Sequence, residues 1–272
     1  MHTLLYLKDN KKIVYNYSDD YIQTFFVGLL DGDGSITVDQ PQKWKSKLRI
    51  RIFISLNNNT ENFNMLTLIK ERICGRVRIE RADKYVTWTC DKSTEFFKIL
   101  SILKKYPLLT SRKQIQLNFA LNCIEEPDIE NFVYNRVNKY LNQKELCKMY
   151  NETFTIPDYF SGWLSGFIEG EGCFILRKNK RGVKHTKCFS IGQNNDEYII
   201  KAIKTYFKSN NKIQVKKIAL KDNYNWKYNN WGNYFKIELY GSLSRNIIYN
   251  HFIKYPLLGH KYISYSKWIN NE

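Results

Sequence analysis

Residues 25–34 of the chain read FFVGLLDGDG, and residues 163–172 read WLSGFIEGEG. Each stretch is an apolar run with helical spacing that ends in two acidic residues, with one glycine between the acids and another after them. The two stretches match position by position. This repetition predicts two related halves in one chain, each of which places an acidic cluster at the end of a helix.

Other repeats occur in the same order along both halves. Residues 57–61 read NNNTE and residues 193–197 read QNNDE, while KYPLL occurs unchanged at 105–109 and at 254–258. The longer final interval in the second half predicts an insertion near residues 221–233. Three repeated stretches in one order indicate an internal duplication.

The order of secondary-structure elements is also the same in each half. Ser18 followed by two aspartates is typical of a helix N-cap, and Pro157 opens the matching helix. From Lys47 to Ser55, basic and polar residues alternate with apolar ones, which indicates a strand with one buried face. We therefore predict an α+β fold with two pseudo-symmetric αββαββα domains and an antiparallel sheet in each. The expected divisions are residues 1–121, a partly helical linker at 122–154, and residues 155–272.

One face of each motif helix carries a stripe of mostly small residues. The two stripes consist of Thr24, Val27, Gly28 and Asp31 in the first helix and Gly162, Ser165, Gly166 and Glu169 in the second. This spacing lets two helix backbones approach closely. We expect the helices to pack on each other as the domain interface, with contact residues Val27, Gly28, Ser165 and Gly166.

The second acid of each motif, Asp33 and Glu171, is expected where the two helices end together. A helix C-terminus disfavours negative charge, and neither motif contains Lys or Arg to neutralise the acids. Two adjacent carboxylates therefore need a counter-charge, which a hard divalent cation supplies. The simpler interpretation is a pair of capped helix ends with solvated acids. Two copies on a basic chain favour the metal site.

The chain carries 43 basic and 26 acidic residues, a net charge of +17. Residues 122–158 hold more acidic than basic residues, so the positive charge belongs to the two halves. A basic surface also serves solubility, but an excess confined to the repeats favours a nucleic-acid partner. The six cysteines form no C-x-x-C pair, so we expect free thiols and no zinc site.

FVGLLDGDG at 26–34 and LSGFIEGEG at 164–172 resemble the two signatures of a single-chain LAGLIDADG homing endonuclease. The resemblance covers nearly the whole chain and implies curved antiparallel sheets that form a DNA-binding saddle along the major groove. It implies a monomer that makes double-strand breaks in one long asymmetric target with Mg²⁺, whereas Ca²⁺ is expected to bind without supporting cleavage. The implied metal ligands are the carboxylates of Asp33 and Glu171 and the backbone carbonyls of Gly32 and Gly170.

The resemblance also implies further polar residues at the cleavage site. Asn57 and Gln193, at the ends of the second strands, would organise water in the active site. Basic residues after each Pro-Leu-Leu segment would lie near the scissile phosphate: Lys261 in the second half, and Arg112, with Lys113 as its substitute, in the first.

Alternation along the strands selects candidates for a DNA-reading polar face. Such side chains could read base edges in the major groove, although a merely solvated sheet face would show the same alternation. The candidates are Thr37, Arg49, Arg51, Arg76, Arg78, Lys187, Lys236 and Glu238.

Two other functions remain open at this stage. The same fold could serve an intron maturase that binds intron RNA, or a catalytically inactive sequence-specific DNA-binding protein. Both could lose a motif acid, and this chain retains both acids. The abundance of Asn, Lys, Ile and Tyr and the lack of an import signal lead us to expect synthesis inside an organelle, the mitochondrion before the chloroplast.

Overall fold

The computed structural model describes residues 17–40, 47–178, 185–219 and 231–270. Each half contains a four-stranded antiparallel sheet, with strand order β1-β2-β4-β3 in the first and β5-β6-β8-β7 in the second. The predicted αββαββα order is confirmed, and one further helix follows it in each half. Most of the expected insertion at 221–233 lies outside the described residues.

The first half comprises α1 (Asp19–Asp33), β1 (Gly34–Asp39), β2 (Arg49–Asn57), α2 (Thr60–Arg72), β3 (Arg76–Glu80), β4 (Tyr85–Cys90), α3 (Ser93–Lys105) and α4 (Ser111–Glu125). The linker contains α5 (Phe132–Asn138) and α6 (Gln143–Thr153). The second half comprises α7 (Phe160–Glu171), β5 (Cys173–Lys178), β6 (His185–Asn194), α8 (Glu197–Tyr206), β7 (Gln214–Ala219), β8 (Trp231–Leu239), α9 (Ser242–Lys254) and α10 (Lys261–Asn270). Helix α4 thus continues past residue 121.

The starts of the motif helices follow from local chemistry. Ser18 caps α1 by accepting a hydrogen bond from the Tyr21 backbone N–H, and Asp19 and Asp20 lie in the positive first turn. Helix α7 begins at Phe160, slightly later than Pro157 suggested, because residues 157–160 first form a turn in which the Phe160 N–H donates to the Pro157 carbonyl.

The strands present two distinct faces, here called the core face and the polar face. In β2, Ile52 and Ile54 are fully buried against the helices, whereas Arg49 is exposed on the opposite side. In β8, Ile237 and Leu239 are likewise fully buried. The helices therefore cover one face of each sheet and leave the polar face open to a partner.

Helices α1 and α7 pack backbone against backbone at two glycines. A Cβ atom on Gly28 would lie 1.8 Å from the Trp163 carbonyl oxygen, and one on Gly166 would lie 1.9 Å from the Phe25 carbonyl oxygen. No side chain fits such a distance. Because both helices end at the same side of this contact, their last residues are brought together.

The cysteines of the described residues are free thiols. Among those residues, no helix is both long enough and apolar enough to cross a membrane.

Candidate active site

The two inner acids meet below the helix contact. A Cβ atom on Gly170 would lie 3.2 Å from the Asp33 carboxylate carbon, and one on Gly32 would lie 3.5 Å from Cγ of Glu171. Each acid therefore lies beside the glycine of the opposite motif. The glycine between the two acids of a motif gives the partner's carboxylate room to enter.

The environment of the two acids opposes their negative charge. The pKa of Glu171 is raised to about 7, first by burial and then by the neighbouring Asp33, against the opposing effect of Lys113 and Lys261. Burial also raises the pKa of Asp33, again opposed by Lys261 and then Lys113. Asp33 nevertheless has an exposed surface, so a ligand can reach this crowded cleft from solvent.

This donor set fits a hard divalent cation that keeps part of its shell as water or substrate oxygen. Two carboxylates repel each other here, and a cation between them would reverse the rise of both pKa values. Gly32 and Gly170 lie in the last helical turns, where carbonyls lack a partner within the helix. Among the described residues, no group of three or more His, Cys, Asp and Glu side chains is placed to hold a metal ion.

Lys113, rather than Arg112, accompanies the acids in the first half. Lys113 is buried, burial lowers its pKa, and Asp31, Glu171 and Asp33 are the acids that oppose this decrease. The Arg112 guanidinium instead lies 5.2 Å from the centre of the Tyr140 ring and is exposed. The expected order of these two residues is therefore reversed. The reason is one additional residue between the Pro-Leu-Leu segment and the lysine, compared with Lys261.

The outer acids anchor the Pro-Leu-Leu segments. Asp31 accepts hydrogen bonds from the backbone N–H groups of Leu109 (2.7 Å) and Thr110 (3.1 Å) and from the Thr110 hydroxyl (2.6 Å). It also accepts one from the indole N–H of Trp163 in the other half, at 2.7 Å.

In the second half, Glu169 accepts hydrogen bonds from the backbone N–H groups of Gly259 (3.2 Å) and Lys261 (2.8 Å). These two acids thereby fix the segments that carry the site lysines. The sequence left the role of the outer acids open, because their separation from KYPLL differs between the two halves.

Reciprocal contacts join each half to the other half's Pro-Leu-Leu segment. The Tyr21 hydroxyl donates to the Pro256 carbonyl, and the Tyr159 hydroxyl donates to the Pro107 carbonyl at 2.6 Å. Sequence reasoning assigned no role to these tyrosines.

Residues that follow β2 and β6 make a second reciprocal pair of contacts. The Asn62 side-chain oxygen accepts from the His260 N–H at 3.0 Å, and the fully buried Asp196 accepts from the Ser111 N–H (3.2 Å) and hydroxyl (2.5 Å). The N-terminal ends of α2 and α8 therefore hold the start of the opposite half's last helix. Lys113 and Lys261 are therefore positioned both by the outer acids and by these contacts from the opposite half.

Asn57 and Gln193 do not occupy equivalent places. The register sets Ser35 opposite Phe53 in the first half and the equivalent Cys173 opposite Ser190 in the second. Asn57 then corresponds to Asn194, and the counterpart of Gln193 is Leu56. Asn57 lies on the polar face of β2. Gln193 comes two residues after the buried Ile191, so it lies on the core face of β6. Treating the two as a matched pair was wrong by one residue, because a one-residue slip exchanges the faces of a strand.

Seven of the eight strand candidates lie on the polar face, and Lys187 does not. Lys187 is opposite Leu176 and shares its side of β6 with the buried Phe189. Its ammonium donates to the Ile269 carbonyl of α10 at 2.8 Å. The placement of Lys187 on a DNA-reading face was therefore wrong, and the alternation of β6 has to be counted from Phe189.

Acidic neighbours hold several cations of the polar face in position. Arg51 lies 3.0 Å from an Asp39 carboxylate oxygen, and Arg76 lies 2.6 Å from one of Asp91. In the second sheet, Lys236 lies 2.8 Å from Glu238. Exposed pairs of this kind contribute little to stability, so the cations can exchange their partners for phosphates or bases.

The fold and the paired acids define a two-motif nuclease-like α+β protein, and comparison with known proteins assigns the family. The pattern of the LAGLIDADG endonuclease family matches residues 26–123 and 164–271, so the chain belongs to that family.

Relatives include the probable intron-encoded endonuclease aI3 of Dictyostelium citrinum, 36% identical over 92% of this chain and 94% of the relative. The protein of the same description from Debaryomyces hansenii is 32% identical over 96% of this chain. The chain spans only 39% of the length of that second relative.

Solved structures of the family share the fold. The LAGLIDADG meganuclease I-AabMI bound to uncleaved DNA superimposes with a TM-score of 0.64 at 21% identity, covering 91% of this chain and 88% of the other. The homing endonuclease I-LtrWI bound to its target DNA gives 0.65 at 20% identity, covering 93% and 89%.

Proposed function

We propose that the protein is a site-specific homing endonuclease that hydrolyses one phosphodiester in each strand of a long asymmetric DNA target. The observation that carries this proposal is the meeting of Asp33 and Glu171, one from each half, with each against the other motif's glycine. One carboxylate per half suits a duplex with two strands to cut. Family membership and relatives described as intron-encoded endonucleases support the same reaction.

Asp33 and Glu171 would hold a divalent cation, with the Gly32 and Gly170 carbonyls as further oxygen ligands. We propose Mg²⁺, which when bound acidifies a water and stabilises the leaving 3′ oxygen. The related meganuclease I-SmaMI was crystallised with uncleaved DNA and calcium ions, which supports Ca²⁺ as a binding-only substitute. Both carboxylates would hold the cation in their ionised form, and its charge would oppose the rise in pKa that burial causes at Glu171.

Lys113 and Lys261 would neutralise charge on the phosphate that is attacked. Both lie close enough to oppose the rise in pKa at Asp33 and Glu171. Charges held in place before the reaction stabilise a transition state without reorganisation. Gln193 and Asn57 remain candidates for organising water, on opposite sides of their sheets.

The polar faces would contact the major groove. Their residues differ between the halves, which matches an asymmetric target. We propose that the first domain includes all of α4, that the linker carries α5 and α6, that the monomer acts alone, and that it acts in the organelle whose intron encodes it, the mitochondrion first.

Incubation of the protein with a randomised duplex library and Mg²⁺, followed by sequencing of the cut ends, tests the proposal. We expect one long site to be cut in both strands, and EDTA to stop the reaction. Tight duplex binding with no cleavage of any site would favour the inactive DNA-binding alternative. Binding of intron RNA without duplex cleavage would favour a maturase.

A further inference from the structure

Three cations, Arg112 of α4 and two from the linker, converge over aromatic rings. The Lys139 ammonium lies 4.6 Å from the centre of the Tyr140 ring and 5.5 Å from that of Phe119. The Arg112 guanidinium lies 5.2 Å from the Tyr140 ring centre, so one ring carries two cations. Arg136 lies 5.4 Å from the Phe132 ring centre. Arg112, Arg136 and Lys139, with their rings, are called the linker cation patch.

The cations of this patch repel one another. The pKa of Lys139 is lowered to about 8, first by burial and then by Arg136 and Arg112. Lys139 donates to the Arg136 carbonyl at 2.8 Å, and the described residues offer neither Lys139 nor Arg112 a carboxylate ion pair. The aromatic rings offset part of the free-energy cost of holding these cations close together, and a bound anion would offset more of it.

The patch borders the proposed cleavage site. Arg112 immediately precedes Lys113, which faces the two inner acids. One turn further along α4, Gln116 accepts from the Ile36 N–H at 3.1 Å and donates to the Tyr140 hydroxyl at 2.9 Å. Ile36 lies on β1, which starts directly after Asp33. Gln116 thus ties the patch to the edge of the first sheet.

We propose that the linker cation patch binds a backbone phosphate of the DNA duplex next to the cleavage site. A nearby phosphodiester is the anion that this position offers, and stacked guanidinium and ammonium groups suit it. The inference rests on the proposed function. It assigns a binding role to Arg112 and to a linker that is acidic as a whole.

The salt dependence of DNA binding tests this proposal. The double variant Arg112→Gln/Lys139→Gln keeps long side chains and removes two charges. Its affinity for the cleavable duplex is measured in Ca²⁺ at several salt concentrations. We expect the slope of log Kd against log salt to fall by about 1 to 2 relative to the wild type, since each lost phosphate contact removes about 0.9.

The matched control is Lys70→Gln/Lys104→Gln, which removes two exposed charges from α2 and α3. The control should keep the wild-type slope. The charge-retaining variant Arg112→Lys/Lys139→Arg should also keep it, which separates charge from packing. An unchanged slope in the glutamine double variant, or an equal loss in the control, would overturn the proposal, as would a loss confined to RNA binding.

A second measurement decides the question if the double variant does not fold. Ethylation of single phosphates in the duplex should interfere with binding of the wild type next to the cut, and that interference should vanish with Arg112→Gln alone. Persistence of the full interference pattern would contradict the patch. Failure of the wild type to bind any duplex would instead refute the proposed function itself.

Discussion

The polar faces of the two sheets differ far more than the two motif helices between them. In the first sheet, Arg49 and Arg51 both approach Asp39, whereas in the second sheet Arg177 and Lys236 both approach Glu238. The motif helices, by contrast, offer each other the same glycine contact and one acid each. The proposed chemistry would require symmetry at the centre, and the proposed asymmetric target would require different polar faces in the two halves.

The first prediction concerns a substitution that disrupts the symmetric contact between α1 and α7. Replacing Gly28 with Ala places a Cβ atom 1.8 Å from a backbone carbonyl, which cannot move without separating the halves. Overpacking usually costs about 1–3 kcal/mol, and this backbone clash should exceed that range. Gly166→Ala should behave alike, while Gly241→Ala, with no atom within 4 Å, should have almost no effect. Urea unfolding of the three variants measures the difference.

The second prediction tests whether the two site lysines are equivalent. Lys113→Met and Lys261→Met should each slow single-turnover cleavage by roughly 10²–10³-fold, which is the range for losing one preorganised charge stabiliser. Binding in Ca²⁺ should change little. Lys104→Met on α3 is the control. A normal cleavage rate for Lys113→Met would show that another residue of the first half stabilises the charge on the phosphate.

The third prediction concerns the outer acids, which differ in the number of donors they satisfy. Asp31 accepts four hydrogen bonds, including one from Trp163 across the interface, and Glu169 accepts two. Asp31→Asn should therefore destabilise the fold by about 2–3 kcal/mol and Glu169→Gln by about 1–2 kcal/mol. Chemical denaturation at one pH measures both. A larger loss of stability for Glu169→Gln than for Asp31→Asn would show that the donors around Asp31 find other acceptors.

The fourth prediction uses pH to distinguish the contact made by Asp196 from the contact made by Asn62. The contact from α8 uses the buried carboxyl of Asp196, and the contact from α2 uses the neutral Asn62. Burial raises the pKa of Asp196 from 3.8 to about 6. The folded state therefore binds this proton more tightly than the unfolded state, and its stability decreases as pH rises from near 4 through about 6.

Relative to Asp196→Asn, the wild type should lose roughly 1–1.5 kcal/mol between pH 5 and pH 7.5. Asn62→Ala should shift stability equally at both values. Parallel urea titrations at the two pH values give these differences. If the gap between wild type and Asp196→Asn stayed constant with pH, Asp196 would not be the group that titrates.

The sequence predicted those parts of the molecule that depend on periodicity or on repetition. Two identical patterns of apolar spacing defined the helices, and alternation placed Arg49, Arg51, Arg76 and Arg78 on the polar face. Glycines at equivalent helical positions indicated the contact that the structure shows at Gly28 and Gly166. Such features are local, or follow from symmetry alone.

The errors arose where a single residue changes the outcome. Alignment of NNNTE with QNNDE paired Asn57 with Gln193, while strand register pairs Asn57 with Asn194. A one-residue difference after Pro-Leu-Leu likewise brought Lys113 to the acids instead of Arg112. The partners of Asp31, Asp196 and Tyr159 lie far away in sequence, so no pattern of spacing along the chain reveals them.

One carboxylate from each half is proposed to build a single cleavage centre. Asp33→Asn and Glu171→Gln, assayed separately on the cleavable duplex with Mg²⁺, test it most directly. We expect each variant alone to lose the double-strand break while binding the duplex in Ca²⁺ like the wild type. Double-strand cleavage at the wild-type rate by either variant would contradict it.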